Sequence, residues 1–256
     1  MAQTSGAPAH SSGRFGGLLQ IAVNVLVAAA VWAFSRQGLA LMAIGVVVAA
    51  TLWPLRRQLS ADTIWQQATQ VIMGVAAAGI IALLPKAVAQ LGVAGLYAVW
   101  RVVQAQISAE GGAGLLKLLV IQAAAFEAIF LLAAIDRTPR PVLLLLIWAA
   151  IYITSYQLLA ARQERGAGVL AAAWALVATE ASWVFLTWLV SYILPGNYLI
   201  VPQPALVLTA LGYCLGSIYL AQRQGNLNRA RLTEYLLIGL ILIWIVIAGT
   251  SWRGTL

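Results

Sequence analysis

Eight stretches of this chain read as long apolar runs separated by short polar connections: 17–34, 38–55, 64–84, 114–135, 141–161, 169–194, 204–222 and 232–251. A helix needs ~20 mostly apolar residues to cross ~30 Å of hydrocarbon, so each run is a transmembrane candidate. A ninth stretch, 87–106, is less apolar and carries Arg101 and several glutamines, so it either crosses or lies flat on the surface. Apolar residues make up 62% of the 256 positions and charged ones only 9%, against ~25% charged in a soluble domain. The fold class expected is therefore all-α, a polytopic transmembrane helix bundle of about nine spans. Residues 1–16 read as a disordered polar tail, and 17–256 as a single membrane domain.

The net charge of +8 is scattered between apolar runs rather than gathered in a block that would track nucleic acid. The partners expected are the lipid bilayer and other membrane proteins, with no nucleic acid. Charge bias also bears on 87–106. With that stretch crossing and the N-terminus cytoplasmic, ten Lys and Arg lie inside and five outside; if it does not cross, the split is six against nine. The positive-inside rule prefers the first arrangement, a multi-pass protein of the bacterial inner (plasma) membrane with its C-terminus outside. Trp32, Trp53, Trp65, Trp100 and Trp252 fall near the predicted ends, while Trp148, Trp183 and Trp244 are deeper and read as packing residues.

Cys214 is the one cysteine and His10 the one histidine. That excludes an internal disulfide and leaves no ligand set for zinc, haem or iron–sulfur clusters, so no cofactor and no metal are expected. The two lysines, Lys86 and Lys117, lie near segment ends, which disfavours a retinal Schiff base.

Two segments align: 151–163 (IYITSYQLLAARQ) and 212–224 (GYCLGSIYLAQRQ) share Tyr152/Tyr213, Arg162/Arg223 and Gln163/Gln224, and each is preceded one helix earlier by Glu-Ala, at Glu127 and Glu180. Two helix pairs, 114–165 and 169–227, would then form a parallel repeat.

Glu127 and Glu180 are the sharpest chemical feature. A mid-bilayer carboxylate costs ~2.5–3.5 kcal/mol to insert and marks an ion or proton path more often than chance. Without a cationic neighbour, desolvation favours the neutral acid. Glu180, Trp183, Thr187 and Ser191 recur at helical spacing and read as a polar cavity wall. Tyr152 and Tyr213, Gln20 and Asn24, and Gln67 and Gln70 are candidate partners for the acids. The competing reading is a protonated glutamate tying helices together, at ~0.6 kcal/mol per bond. Gly212 and Gly216 form a small-residue pair that admits a close helix neighbour.

The stretch from Glu180 through Trp183, Leu194, Pro195, Tyr198 and Tyr213 resembles uncharacterised bacterial multi-spanning membrane proteins grouped as a domain of unknown function. That resemblance covers under a quarter of the chain and implies no mechanism. Catalytic signatures such as an Asp-rich metal motif or a nucleophile elbow are missing from the sequence, so an enzyme, in particular a lipid-modifying one, ranks last. Proton- or cation-dependent transport through the glutamates ranks first, and a non-catalytic subunit or assembly factor of a membrane complex second.

Overall fold

The computed structural model describes residues 13–53, 60–104, 111–135, 138–187, 189–193 and 200–248. Among them the chain forms helices α1 (Gly13–Arg36), α2 (Ala40–Leu52), α3 (Ala61–Leu83), α4 (Ala87–Val103), α5 (Gly111–Ile135), α6 (Arg140–Ala161), α7 (Ala167–Thr187), α8 (Gln203–Arg223) and α9 (Arg229–Ala248). A short ribbon, β1 (Ser191–Ile193) with β2 (Ile200–Pro202), joins α7 to α8. Five helices are long and apolar enough to cross a membrane, over Thr63–Leu83, Ala113–Ile135, Arg140–Ala161, Ala167–Thr187 and Gln203–Arg223. Apolar side chains such as Leu41, Leu96, Leu145, Val169 and Trp244 point outward, the surface expected of an all-helical, multi-pass membrane protein whose solvent is lipid. The tail residues 1–12, most of the α7–α8 loop, Arg56, Arg57 and the segment from 249 onward lie outside the described residues.

Helix α5 occupies the middle of the bundle, packing on α3, α6 and α8, and its end carries β2. Its sequence is apolar on nearly every side, as a helix surrounded by protein requires. One half of the molecule gathers α1, α2, α3 and α4 around Val31, Val47, Ile81 and Tyr97. The other gathers α5, α6, α7 and α8 around Phe130, Ile147, Ile151 and Ala175. Long-range contacts fix the polarity. Asn24 in α1 meets Arg101 late in α4, Lys117 early in α5 meets Gln104 after α4, and Trp65 early in α3 packs on Tyr156 late in α6. Glu164, between α6 and α7, meets Arg223 at the end of α8. At this end α1, α3, α5 and α7 start and α4, α6 and α8 finish, so α4 runs antiparallel to α1, α3 and α5 inside the bundle. Arg101, Lys117, Arg162, Arg165, Arg223, Arg229 and Arg231 all fall here, whereas Arg36, Lys86 and Arg140 fall at the opposite end; the first is called the basic end below.

Three connections are tight for one reason. Gly38, Gln163 and Gly225 take positive φ just past α1, α6 and α8, and the next N–H bonds back to the last turn, Leu39 to Phe34, Glu164 to Leu159 and Asn226 to Ala221. This left-handed C-terminal cap satisfies orphan carbonyls and reverses the chain at once.

Helix α7 departs from expectation. It ends at Thr187 rather than 194, and Ser191 to Ile193 pair with Ile200 to Pro202 instead. Tyr192 and Ile193 are β-formers near Pro195, which biases the residue before it toward extended backbone and so discourages a further helical turn. The repeat is not evident either. The backbones of α5 and α6 approach far more closely than those of α7 and α8, and the paired residues occupy different surroundings.

Small residues set the closest approaches. A Cβ built on Gly74 would overlap Val47 and stand 2.8 Å from the Tyr97 hydroxyl, whereas one on Gly95 would meet nothing within 4 Å. Gly74→Ala is therefore expected to destabilise the bundle by ~1–3 kcal/mol through overpacking, and Gly95→Ala to stabilise by ~0.5–1 kcal/mol through helix propensity. Thermal unfolding of the two variants in detergent checks the opposite signs.

Candidate functional site

Serine and threonine within these helices mostly satisfy themselves. Thr154 donates to the Ala150 carbonyl at 2.7 Å, Thr179 to Ala175 at 2.7 Å, Ser182 to Ala178 at 2.6 Å and Thr209 to Ala205 at 2.7 Å. Such back-bonding removes a hydroxyl from competition for other partners. What is left for chemistry is a small set of amides, cations and carboxylates.

Glu127 sits half-buried on α5, and its Oε1 is buried with no hydrogen-bond partner among the described residues. The neighbouring α5 residue Ala128 packs toward Gly79 of α3, and Leu131, one turn on, lies against Ile80, Leu84 and Ile200 of β2. Glu127 thus lies on the stretch of α5 that passes α3 and, one turn on, meets α4 and the ribbon, nearer the end of α5 opposite the basic one.

Glu180 is placed quite differently. α7 buries Ala171, Ala175, Ala178, Ser182 and Leu186 against its neighbours, which turns Glu180, Trp183 and Thr187 outward; Trp183 is 60% exposed. The stripe read as a cavity wall is an outer face, and Ser191 has left the helix for β1. Thr187 donates to the Val184 carbonyl at 2.6 Å. Alanine lets α6 and α7 approach closely, and that close fit decides which of two helical stripes faces inward. Trp244 is likewise outward at 70% exposure, while Trp148 does pack, stacked on Tyr152 with centroids 5.2 Å apart.

The two tyrosines of the apparent repeat also separate. Tyr152 stands in a column of rings on α6, between Trp148 and Tyr156, with Trp65 of α3 against Tyr156 at 4.4 Å. Tyr213 is exposed beside a shallow cavity of about 270 Å³ shared with Ser217, Arg231 and Tyr235. Gly212 and Gly216 face α5: a Cβ on Gly212 would stand 3.2 Å from Leu119, and one on Gly216 2.6 Å from Leu115. Cys214 in the same stretch faces α9, donating to the Tyr235 carbonyl at 3.4 Å. Gln70 is buried and Gln67 half-buried, and the Gln20 side chain lies outside the described residues.

Three polar groups deserve a place beside the glutamates. Gln122 of α5 donates to Thr154 at 3.0 Å and to Ser155 at 3.4 Å, a fully internal α5–α6 link. Arg101 is buried and donates from Nε and Nη2 to the Asn24 side-chain oxygen at 3.2 and 3.0 Å, with Tyr97 alongside and no carboxylate partner among the described residues. Lys117 is buried and donates to the Gln104 carbonyl at 3.3 Å. The sequence signal for the last two was their nearness to segment ends, which equally describes a solvated interfacial residue. A cavity of about 550 Å³ opens at the basic end between α3, α5 and α6, lined by Trp65, Gln66, Lys117, Thr154, Gln157 and Gln163 among others. Neither cavity is lined by Glu127 or Glu180. No cluster of His, Cys, Asp or Glu able to hold a metal occurs among the described residues. Compared with protein-family models, curated proteins and solved structures, the chain matches none.

At the rim of the basic end, Arg223 holds Glu164 with two hydrogen bonds of 2.6 Å. Those bonds keep the Glu164 carboxyl below its usual range. A depressed value means the stabilisation is complete above the unfolded carboxylate range, ~4.3, and disappears as pH falls through the folded value. The difference in thermal stability between the wild type and Glu164→Gln should stay constant from about pH 8 to 5 and vanish only at lower pH. A difference already fading at neutral pH would contradict the pair.

Proposed function

We propose that all nine helices cross the membrane with the basic end in the cytoplasm, and that the protein is a proton- or cation-dependent transport protein in which Glu127 is the exchanging group. The orientation is supported by the concentration of arginines and lysines where α4, α6 and α8 finish, as the positive-inside rule requires. The antiparallel packing of α4 against α1 and α3 supports a crossing rather than a surface helix, as does the burial of Tyr97 at 1% exposure. For transport, the carrying observation is the half-buried carboxyl of Glu127 on the central helix, one oxygen buried and without a partner among the described residues. A group serving only as helix glue would have its hydrogen bond formed in the resting fold; one that accepts a proton or cation in turn must leave a lone pair open.

In liposomes with a pH gradient, Glu127→Gln is expected to abolish proton-coupled flux of a monovalent cation while the protein melts within a few degrees of wild type. Flux equal to wild type would remove Glu127 from the path.

A second reading, a subunit or assembly factor of a membrane complex, is favoured by a separate observation: Glu180 and Trp183 stand on the outer face of α7. A carboxyl turned to lipid is better tolerated beside a partner helix that hydrogen-bonds it. On this reading, a photo-crosslinker at Trp183 captures one membrane protein in stoichiometric yield, and Glu180→Ala lowers that yield severalfold. Crosslinks to lipid alone would exclude it.

A further inference from the structure

The cavity at the basic end belongs to neither glutamate, and its chemistry is of the opposite sign. Its walls come from the first turns of α3 and α5 and the last turns of α6. They supply one cation, Lys117, the amides of Gln66, Gln157 and Gln163, the Thr154 hydroxyl and the Trp65 ring, with no carboxylate among the described residues that line it. At about 550 Å³ it falls within the range of small-molecule sites, ~300–1,000 Å³.

Lys117 is 8% exposed, and its ammonium makes one hydrogen bond among the described residues, to a neutral backbone carbonyl. An ammonium has three N–H groups, and the described residues accept from one of them. Burying a cation without a counter-charge is unfavourable by several kcal/mol, and capping the C-terminus of α4 returns only ~0.3–1 kcal/mol. The described carboxylate nearest in sequence to the cavity lining, Glu164, is already held by Arg223 in the paired geometry above. Arg101, three residues before Gln104 on α4, adds a second buried cation whose hydrogen bonds go to neutral Asn24. The basic end therefore holds two buried cations whose hydrogen bonds among the described residues go to neutral groups; of its described carboxylates, Glu164 is held by Arg223 and Glu234 is exposed on α9, while the Asp62 side chain in the first turn of α3 lies outside the described residues.

The geometry points to an anion site in this cavity: a phosphate group held by the Lys117 ammonium and the lining amides, with the attached organic portion against Trp65 and Leu118. Basic pockets between transmembrane helices at the headgroup level take phosphate-bearing headgroups by this chemistry, and lysine serves as a point charge toward phosphate. The same chemistry would hold a soluble phosphate ester entering from the aqueous side. The site is independent of Glu127, since its occupant needs no proton exchange there.

The test uses the full chain purified in a neutral detergent with two probes. One arm adds phosphatidylglycerol against phosphatidylcholine and counts retained lipid by native mass spectrometry; the other titrates inorganic phosphate and follows thermal stability. Saturable binding in the first arm alone assigns a lipid headgroup, and in the second a soluble phosphate compound. In either case Lys117→Gln should weaken binding at least about tenfold, which equals ~1.4 kcal/mol. Because Lys117 also caps α4, Gln157→Leu provides a variant that leaves that cap intact, and it should weaken binding severalfold at unchanged melting temperature. The assignment is overturned if neither probe saturates, or if binding survives unchanged in Gln157→Leu and in any folded Lys117→Gln protein.

Discussion

Inside hydrocarbon, apolar side chains gain nothing by leaving lipid for protein, so helices hold together only where they fit closely enough to gain dispersion and hydrogen bonds. The bundle depends on a few places where side chains are small. Gly74 lets α3 meet Val47 of α2 and Tyr97 of α4, and Gly212 and Gly216 lay α8 on Leu115 and Leu119 of α5. Gly239 brings α9 against Cys214, and alanines 167, 171, 175 and 178 seat α7 on its neighbours. The larger residues then fill space that these contacts define. That order of dependence also decides where polar groups end up, because the stripe that packs best goes inward whatever its alternative carries.

Much of the fold is visible in hydropathy alone. Lipid enforces a minimum apolar length and full backbone satisfaction, so the starts of α4, α6 and α8 agree with the sequence reading to within a residue. Where the reading went astray, two forces compete. The stretch after Thr187 is apolar enough for a helix, and pairing with Ile200 to Pro202 ends it. On α7 the alanine stripe and the Glu180 stripe both repeat at helical spacing, and hydropathy does not rank them; packing does. The aligned pairs Tyr152/Tyr213 and Glu127/Glu180 match as letters but occupy unlike surroundings, since neighbours three helices away in sequence determine burial.

The candidate sites were legible to different degrees. Glu127 stood out as a candidate because an acid in an apolar run is costly to insert, though the sequence did not separate an exchanging group from one that ties helices together. Lys117 and Arg101 were not, because a cation near a span end ordinarily reaches water by extending its stem. Only the packing of α4 on α1 and α3, with its C-terminal end near Lys117, shows that these two turn inward, toward Asn24 and the Gln104 carbonyl.

The seam between α7 and α8 has a particular mechanical character. Their backbones approach closely at few points, and the space between is spanned by side chains, Trp174 beside Gly212 and Tyr219 on the Leu159–Ala167–Ala171 cluster, with the Glu164–Arg223 clasp at one rim and the β1–β2 ribbon at the other. A wall whose staves stand apart and are bridged by long side chains bows more easily than one where backbones touch. Lateral strain on this molecule, whether from membrane tension or from a thick or thin bilayer, will concentrate along that one line, and lipid chains will reach furthest into the protein there.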